Sequence, residues 1–126
     1  MRTFLALIGL SAPLALAACG GSSTPSTELG SVTIGTHSVA VTLEGSGAPG
    51  KESEYAIKPT NGSAKPDAVT CGWGTSATAA TQAIAVYDPA AGDFDCFATR
   101  SSDGGGALWI ALTYGATTDT GSIVVP

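Results

Sequence analysis

Apolar residues recur at every second position along most of the chain, in short runs separated by clusters of glycine, proline, asparagine, aspartate and serine. This alternation is typical of strands that bury one face, because successive side chains of a strand point to opposite sides of a sheet. Over residues 37–45, for example, Val39, Val41 and Leu43 share one face. Seven such runs follow one another: HSVAVTLEG, ESEYAIKP, AVTCGWG, QAIAVYD, DFDCFATR, ALWIALTY and GSIVV.

Short strands with turn residues about every ten positions predict an all-β domain. We expect an immunoglobulin-like antiparallel sandwich of about seven strands that occupies residues 31–126. Its most apolar run, ALWIALTY, is predicted to be a central strand. No run of the domain has the apolar stripe of an amphipathic helix, and the alanine-rich TSATAATQA is interpreted as a loop.

The first residues have a different pattern, in which one continuous apolar run replaces the alternation. Arg2 precedes an apolar segment over residues 4–16, and two small alanines follow it, which is the arrangement of an export signal. The segment is shorter than the roughly 20 residues that a spanning helix needs, and Pro13 interrupts it. Residues 1–18 are therefore predicted to be a signal peptide rather than a permanent membrane span.

The four residues Leu16-Ala17-Ala18-Cys19 resemble the lipobox of bacterial lipoproteins. In that family the cysteine thiol receives a diacylglycerol, the peptide is cut before the cysteine, and the new amino group is usually acylated. The resemblance implies lipidation of Cys19 and anchoring in the bacterial cell envelope, with Gly20 favouring the outer membrane. The alternative is an ordinary signal peptide whose Ala-x-Ala motif lies beside a cysteine. Residues 19–30 are rich in small polar residues and are interpreted as a lipid-anchored flexible tether.

Cysteine chemistry follows from export. Three cysteines are present, and lipidation of Cys19 leaves Cys71 and Cys96 as a pair. Thiols of exported chains mature in an oxidising compartment, so these two are predicted to form a disulfide. A redox-active couple is the alternative, but it usually has the closely spaced Cys-x-x-Cys pattern, which this pair lacks.

The charge balance limits the partners. After removal of residues 1–18, four basic and ten acidic residues remain, a formal charge of −6. An acidic surface repels phosphate groups, so nucleic acid is not expected as a partner. Contact with a membrane is expected through the lipid anchor alone.

Candidate metal chemistry is restricted to hard cations. His37 is the sole histidine and the only methionine is Met1, so the ligand sets of copper and structural zinc sites cannot be assembled, and no metal or other cofactor is predicted. Asp88, Asp93 and Asp95 lie within YDPAAGDFD and are the alternative, a calcium or small-ligand site in acidic loops. Aspartate beside proline or glycine is also ordinary turn chemistry.

Catalytic motifs are not evident. The GSG at residues 45–47 lacks the strand-to-helix pattern of a nucleophile elbow, and a strand rather than a helix is predicted after the glycine run at residues 104–106. The protein is therefore predicted not to be an enzyme. Among the aromatic residues, Trp73 is expected to pack on the disulfide, whereas Trp109 is a candidate contact residue on a possible binding surface.

The domain also resembles small exported β-sandwich proteins of the YtkA-like type, from about Gly35 to Val125. The resemblance rests on GTHSVAVTL, APGKESEYAIKPT, YDPAAGDFD and LWIALTYG. It implies an immunoglobulin-like fold and a periplasmic role sometimes discussed near metal handling, although the metal-ligand histidines and methionines are absent here. The expected function is that of a membrane-anchored envelope lipoprotein that acts as a binding or structural module through contacts with another envelope protein.

Overall fold

Nine β-strands and no helix make up the part of the chain that the structure, a computed structural model, describes: residues 26–60, 62–77 and 83–125. The strands are β1 (Ser26–Ile34), β2 (His37–Glu44), β3 (Glu52–Thr60), β4 (Ala68–Gly74), β5 (Ala83–Ile84), β6 (Val86–Asp88), β7 (Asp93–Thr99), β8 (Ala107–Tyr114) and β9 (Thr117–Ile123). The predicted signal peptide, Cys19 and the tether up to residue 25 lie outside the described residues. Within those ranges, no helix has the length and hydrophobicity to cross a bilayer.

The strands form two sheets in which all pairs are antiparallel. One sheet has the order β1-β2-β3-β7-β6 and the other the order β5-β4-β8-β9. Without β1, these are the strand orders of the ABED and CFG sheets of an immunoglobulin-like sandwich, with β5 as a short addition to the second sheet. The predicted all-β sandwich is confirmed.

The structure has two strands more than the sequence pattern predicts. Residues 26–30, assigned to the tether, belong to β1, whose nine residues pair with β2 through a register shift between Glu28 and Gly30. The domain thus begins at least five residues before Ser31, because backbone pairing stabilises an edge strand whose side chains are mostly small and polar. The described part of the predicted strand QAIAVYD, residues 83–88, forms two strands, since the chain leaves one sheet at Ala85 and joins the other at Val86.

The core lies between the inner faces of the two sheets. Val39, Val41 and Leu43 of β2 are buried, as the alternation predicts, and so are Leu108 and Ile110 of β8. Full burial of one such side chain stabilises a fold by about 1.5–3 kcal/mol relative to exposure. The alternating pattern therefore positions both sheets, and its outward-facing members are the residues left for contacts.

A cystine joins the two sheets through the core. Cys71 of β4 and Cys96 of β7 lie at disulfide bonding distance, with Cα atoms 6.4 Å apart, and both are fully buried. Trp73 is 6% exposed on the same face of β4 and donates a hydrogen bond from its indole nitrogen to the Tyr55 hydroxyl at 3.3 Å. The predicted cysteine pair and the predicted core position of Trp73 are confirmed.

Arg100 connects the loops at one end of the sandwich. Its guanidinium donates to the carbonyls of Gly47 at 3.0 Å, Val125 at 3.1 Å and Gly104 at 3.4 Å. The same group lies 5.1 Å from the centroid of the Trp73 ring. One side chain therefore holds the β2–β3 loop, the β7–β8 loop and the segment after β9 against the core.

Candidate functional site

The outer face of the five-stranded sheet carries most of the acidic residues. Its strands contain seven Asp and Glu and one Lys, Lys58, whereas the strands of the other sheet contain Asp119 alone among charged residues. Inward positions are taken by the apolar alternation, so the carboxylates lie on the solvent side. This face is the strongest electrostatic feature among the described residues.

Three of these carboxylates converge at the β6–β7 hairpin. Asp88 pairs directly with Asp93, and Asp95 follows two positions later on the same face of β7. One carboxylate oxygen from each residue lies within 4.8 Å of the others. The structure thus brings together the three aspartates singled out as an acidic loop cluster.

Hydrogen bonding in the hairpin occupies part of this cluster. Asp88 Oδ1 accepts from the backbone amides of Ala90 at 3.0 Å and Ala91 at 3.4 Å, which is ordinary turn chemistry. Asp93 Oδ1 is buried and has no hydrogen-bond partner within the described part of the chain. The cluster therefore combines a turn-forming aspartate with one whose oxygen is unsatisfied.

Two carboxyl groups on this face, those of Asp93 and Glu54, have raised pKa values. Burial raises the pKa of Asp93, and the neighbouring carboxylates of Asp95, Asp88 and Glu44 raise it further. The pKa of Glu54 is raised in the same way, by burial first and then by Asp95, Glu44 and Asp93. Since both groups respond to neighbours of their own sign, the face favours protons or cations.

A cleft opens beside this face, next to the two short edge strands. Among the described residues, β6 pairs with β7 only over Asp93–Asp95, and β5 pairs with β4 only at Thr70 and Cys71. The space between the two sheets at this point has a volume of about 250 Å³. Its lining comes from β3, β4, β5 and β7: Glu52, Gly72, Trp73, Ala83, Phe97, Ala98 and Thr99.

Three large apolar side chains are exposed around this cleft. Ile84 is 81% exposed, Val86 68% and Phe97 48%. None of the three is among the contact residues predicted above, although the sequence pattern contains a signal. Phe97 alternates with Asp93 and Asp95, and Ile84 and Val86 alternate with Asp88, so each falls on the same side of its predicted strand as an aspartate. The carboxylate marks that side as the one facing solvent.

The remaining candidate residues lie elsewhere. Trp109 is on β8, in the other sheet from the aspartates, and is half-buried with its indole N–H donating to the Gly74 carbonyl at 3.0 Å. His37 is at the opposite end of the strands from the cleft and stacks on Tyr114 with ring centroids 3.8 Å apart. Neither residue is brought next to the acidic cluster, and Cys19 is outside the described residues.

Comparison with known proteins does not place the chain in a family. No protein-family model matches it, and neither a curated protein nor a solved structure does. The resemblances to bacterial lipoproteins and to YtkA-like proteins therefore stay predictions. What the structure establishes is an immunoglobulin-like order of strands with an acidic outer face, a cleft at one edge, and exposed apolar side chains around that cleft.

Proposed function

We propose that this protein is a lipoprotein of the bacterial cell envelope, held in a membrane through Cys19, and that its sandwich is a non-enzymatic module that binds another envelope protein. The lipobox-like Leu16-Ala17-Ala18-Cys19 supports the anchor. The exposed Ile84, Val86 and Phe97 support the binding role, because large apolar side chains grouped at one edge are typical of protein contact sites. The outer membrane is the proposed location, on the basis of Gly20.

The intact mass of detergent-extracted protein tests the anchor. We expect loss of residues 1–18, a mass increase matching acylation, and no such increase in a Cys19→Ala variant. A full-length, unmodified chain in the membrane fraction would contradict the lipoprotein assignment.

Site-specific photo-cross-linking in intact cells tests the binding role. A photoreactive amino acid replaces Phe97 in one strain and, as a matched surface control, Glu28 of β1 in another. We expect a discrete adduct from position 97 and none from position 28. If no surface position of the domain yields an adduct, the module does not work through protein contacts.

A second candidate function is binding of calcium at Asp88, Asp93 and Asp95, and the observation that favours it is the convergence of their three carboxylates. Oxygen ligands of this kind are those that calcium prefers. A ligand that binds only the native state increases the free energy of unfolding, by about 2.7 kcal/mol at a hundredfold excess over Kd, and therefore raises the unfolding midpoint. We expect millimolar calcium to raise the midpoint of the parent protein but not of an Asp93→Asn variant. Equal midpoints with and without calcium would exclude this function.

A further inference from the structure

The edge of β7 is the feature from which a partner can be inferred. β3 pairs with β7 from Glu52↔Thr99 to Ile57↔Phe94, whereas β6 covers the other side of β7 only as far as Asp95. Within residues 26–60, 62–77 and 83–125, the stretch from Phe97 to Thr99 therefore has a ladder partner on one side only. An open strand edge of this kind accepts an added strand through backbone hydrogen bonds.

The two sides of that edge differ in chemistry. Toward the core lies the cleft, in which Trp73, Ala83 and Ala98 present apolar side chains; Glu52 and Thr99 also belong to its lining. Toward solvent, Phe97 pairs directly with Glu54, and Asp95 is the next outward residue along β7. An added strand would thus have an apolar neighbourhood on one face and an acidic one on the other.

Charge decides what kind of strand fits. Burial and then the neighbouring carboxylate of Asp95 raise the pKa of Glu54, and the five strands of this sheet hold seven acidic residues against one lysine. A second copy of the chain would bring two such faces together, and like charges placed opposite one another are destabilising. A partner with cationic side chains on its outward face has the complementary charge.

We propose that the β7 edge at Phe97–Thr99 binds an extended segment of a partner protein in which lysine or arginine alternates with apolar residues. This inference rests on the proposed function and adds the chemistry of the partner. The apolar side chains of the segment enter the cleft against Trp73. The cationic side chains lie over Phe97 and reach Glu54 and Asp95, since diagonal neighbours in a sheet are within reach of long side chains.

Binding of defined peptides to the full-length detergent-solubilised protein tests the proposal, with fluorescence anisotropy as the measurement and EDTA present to remove calcium. The probe is a labelled hexapeptide that alternates lysine and valine. The comparison peptides replace lysine by glutamate or valine by serine. We expect the first peptide to bind at least about tenfold more tightly than either other, and to weaken steeply between about 50 mM and about 500 mM salt. Equal binding of all three peptides would overturn the proposal.

Two further comparisons locate the site and the mode of binding. Phe97→Ser and Glu54→Gln should each weaken binding of the lysine–valine peptide several-fold. The matched controls are Val124→Ser, at another exposed apolar residue, and Glu28→Gln, at another exposed acidic residue. Neither control should weaken binding. A lysine–valine peptide methylated on alternate backbone nitrogens should lose binding if a strand is added. Unchanged affinity of that peptide, or of the Phe97→Ser variant, would refute the β7 edge as the site.

The outcomes separate this inference from the proposed function. Concentration-dependent self-association of the protein that Phe97→Ser abolishes would identify a second copy as the occupant and overturn the cationic partner. A cellular adduct formed only from surface positions away from the cleft would overturn the β7 edge while leaving a protein-binding module intact. Absence of any adduct, with peptide binding retained, would count against the proposed function alone.

Discussion

Reduction of the Cys71–Cys96 pair should destabilise the domain by several kcal/mol. The two cysteines are 25 residues apart, and a cross-link over that separation removes conformational entropy from the unfolded chain. In the loop-closure treatment, the corresponding stabilisation is about 3.5 kcal/mol at 25 °C. Reduction adds two hydrogen atoms and removes no side-chain atom, so no cavity is created and the main change is loss of the cross-link.

Urea unfolding followed by tryptophan fluorescence measures this effect, because Trp73 packs in the core on the same face of β4 as Cys71. For a domain of this size, the urea dependence of the unfolding free energy is about 1 kcal/mol per molar. Reductant should therefore lower the midpoint by about 3 M and the melting temperature by about 15 °C. A Cys71→Ala/Cys96→Ala variant is the control, and its midpoint should not respond to reductant.

Two results would refute the reasoning. If mass spectrometry shows both thiols free while the midpoint is unchanged, the cross-link does not stabilise the domain. If both cysteines of the untreated protein react with an alkylating agent after unfolding, the bridge is not present in the exported protein, and the inference from the oxidising compartment is wrong.

Three smaller perturbations test other features. Arg100→Met removes a cation that donates to three carbonyls, so it should lower the free energy of unfolding by about 2–3 kcal/mol, whereas an exposed Lys51→Met should change it little in the same urea titration. Asp93→Asn should raise stability at pH 7 by about 0.5 kcal/mol, because like-charged neighbours destabilise a strand pair. The pKa of Asp93 is raised in the folded state, so the stability of the parent protein falls as pH rises through that pKa. The stability advantage of Asp93→Asn should therefore vanish at pH 3 in the same urea titration. A constant difference between the two proteins across pH would contradict this. Gly106→Ala places a Cβ 2.8 Å from the Gly74 carbonyl oxygen at a φ of 82°, and a thermal melt should show a loss of about 1–3 kcal/mol, with a parent-like melt as the contrary result.

Much of the fold follows from local pattern. Alternation over residues 37–45 and in ALWIALTY correctly predicts which side chains are buried, because a strand of a sandwich has one inner face. The alternation does not predict β1, because its pairing with β2 depends on backbone hydrogen bonds and few of its side chains are hydrophobic. The alternation also does not predict that the chain passes from one sheet to the other at Ala85, because tertiary packing decides where a chain changes sheets.

The candidate site is less predictable than the fold. The sequence places Asp93, Asp95 and Phe97 on one face of a strand, but only the register of the hairpin sets Asp88 opposite Asp93. The cleft has no sequence motif at all. In the described part of the chain, it lies where the pairing of β5 with β4 and of β6 with β7 ends, which depends on strand lengths in three dimensions.

The start of β1 at Ser26 limits the length of the segment that would link a lipid on Cys19 to the domain. Ser26 is seven positions after Cys19, and a fully extended chain over seven steps reaches about 25 Å. Ser26 pairs with Glu44, Glu44 with Glu54, and Glu54 with Phe97. The first residue of β1 therefore lies in the same cross-strand row as the cleft, three strands or about 14 Å away. With a lipid on Cys19, the cleft would be confined to the layer just above the headgroups. A protein captured there would have to reside in, or lie against, the same bilayer.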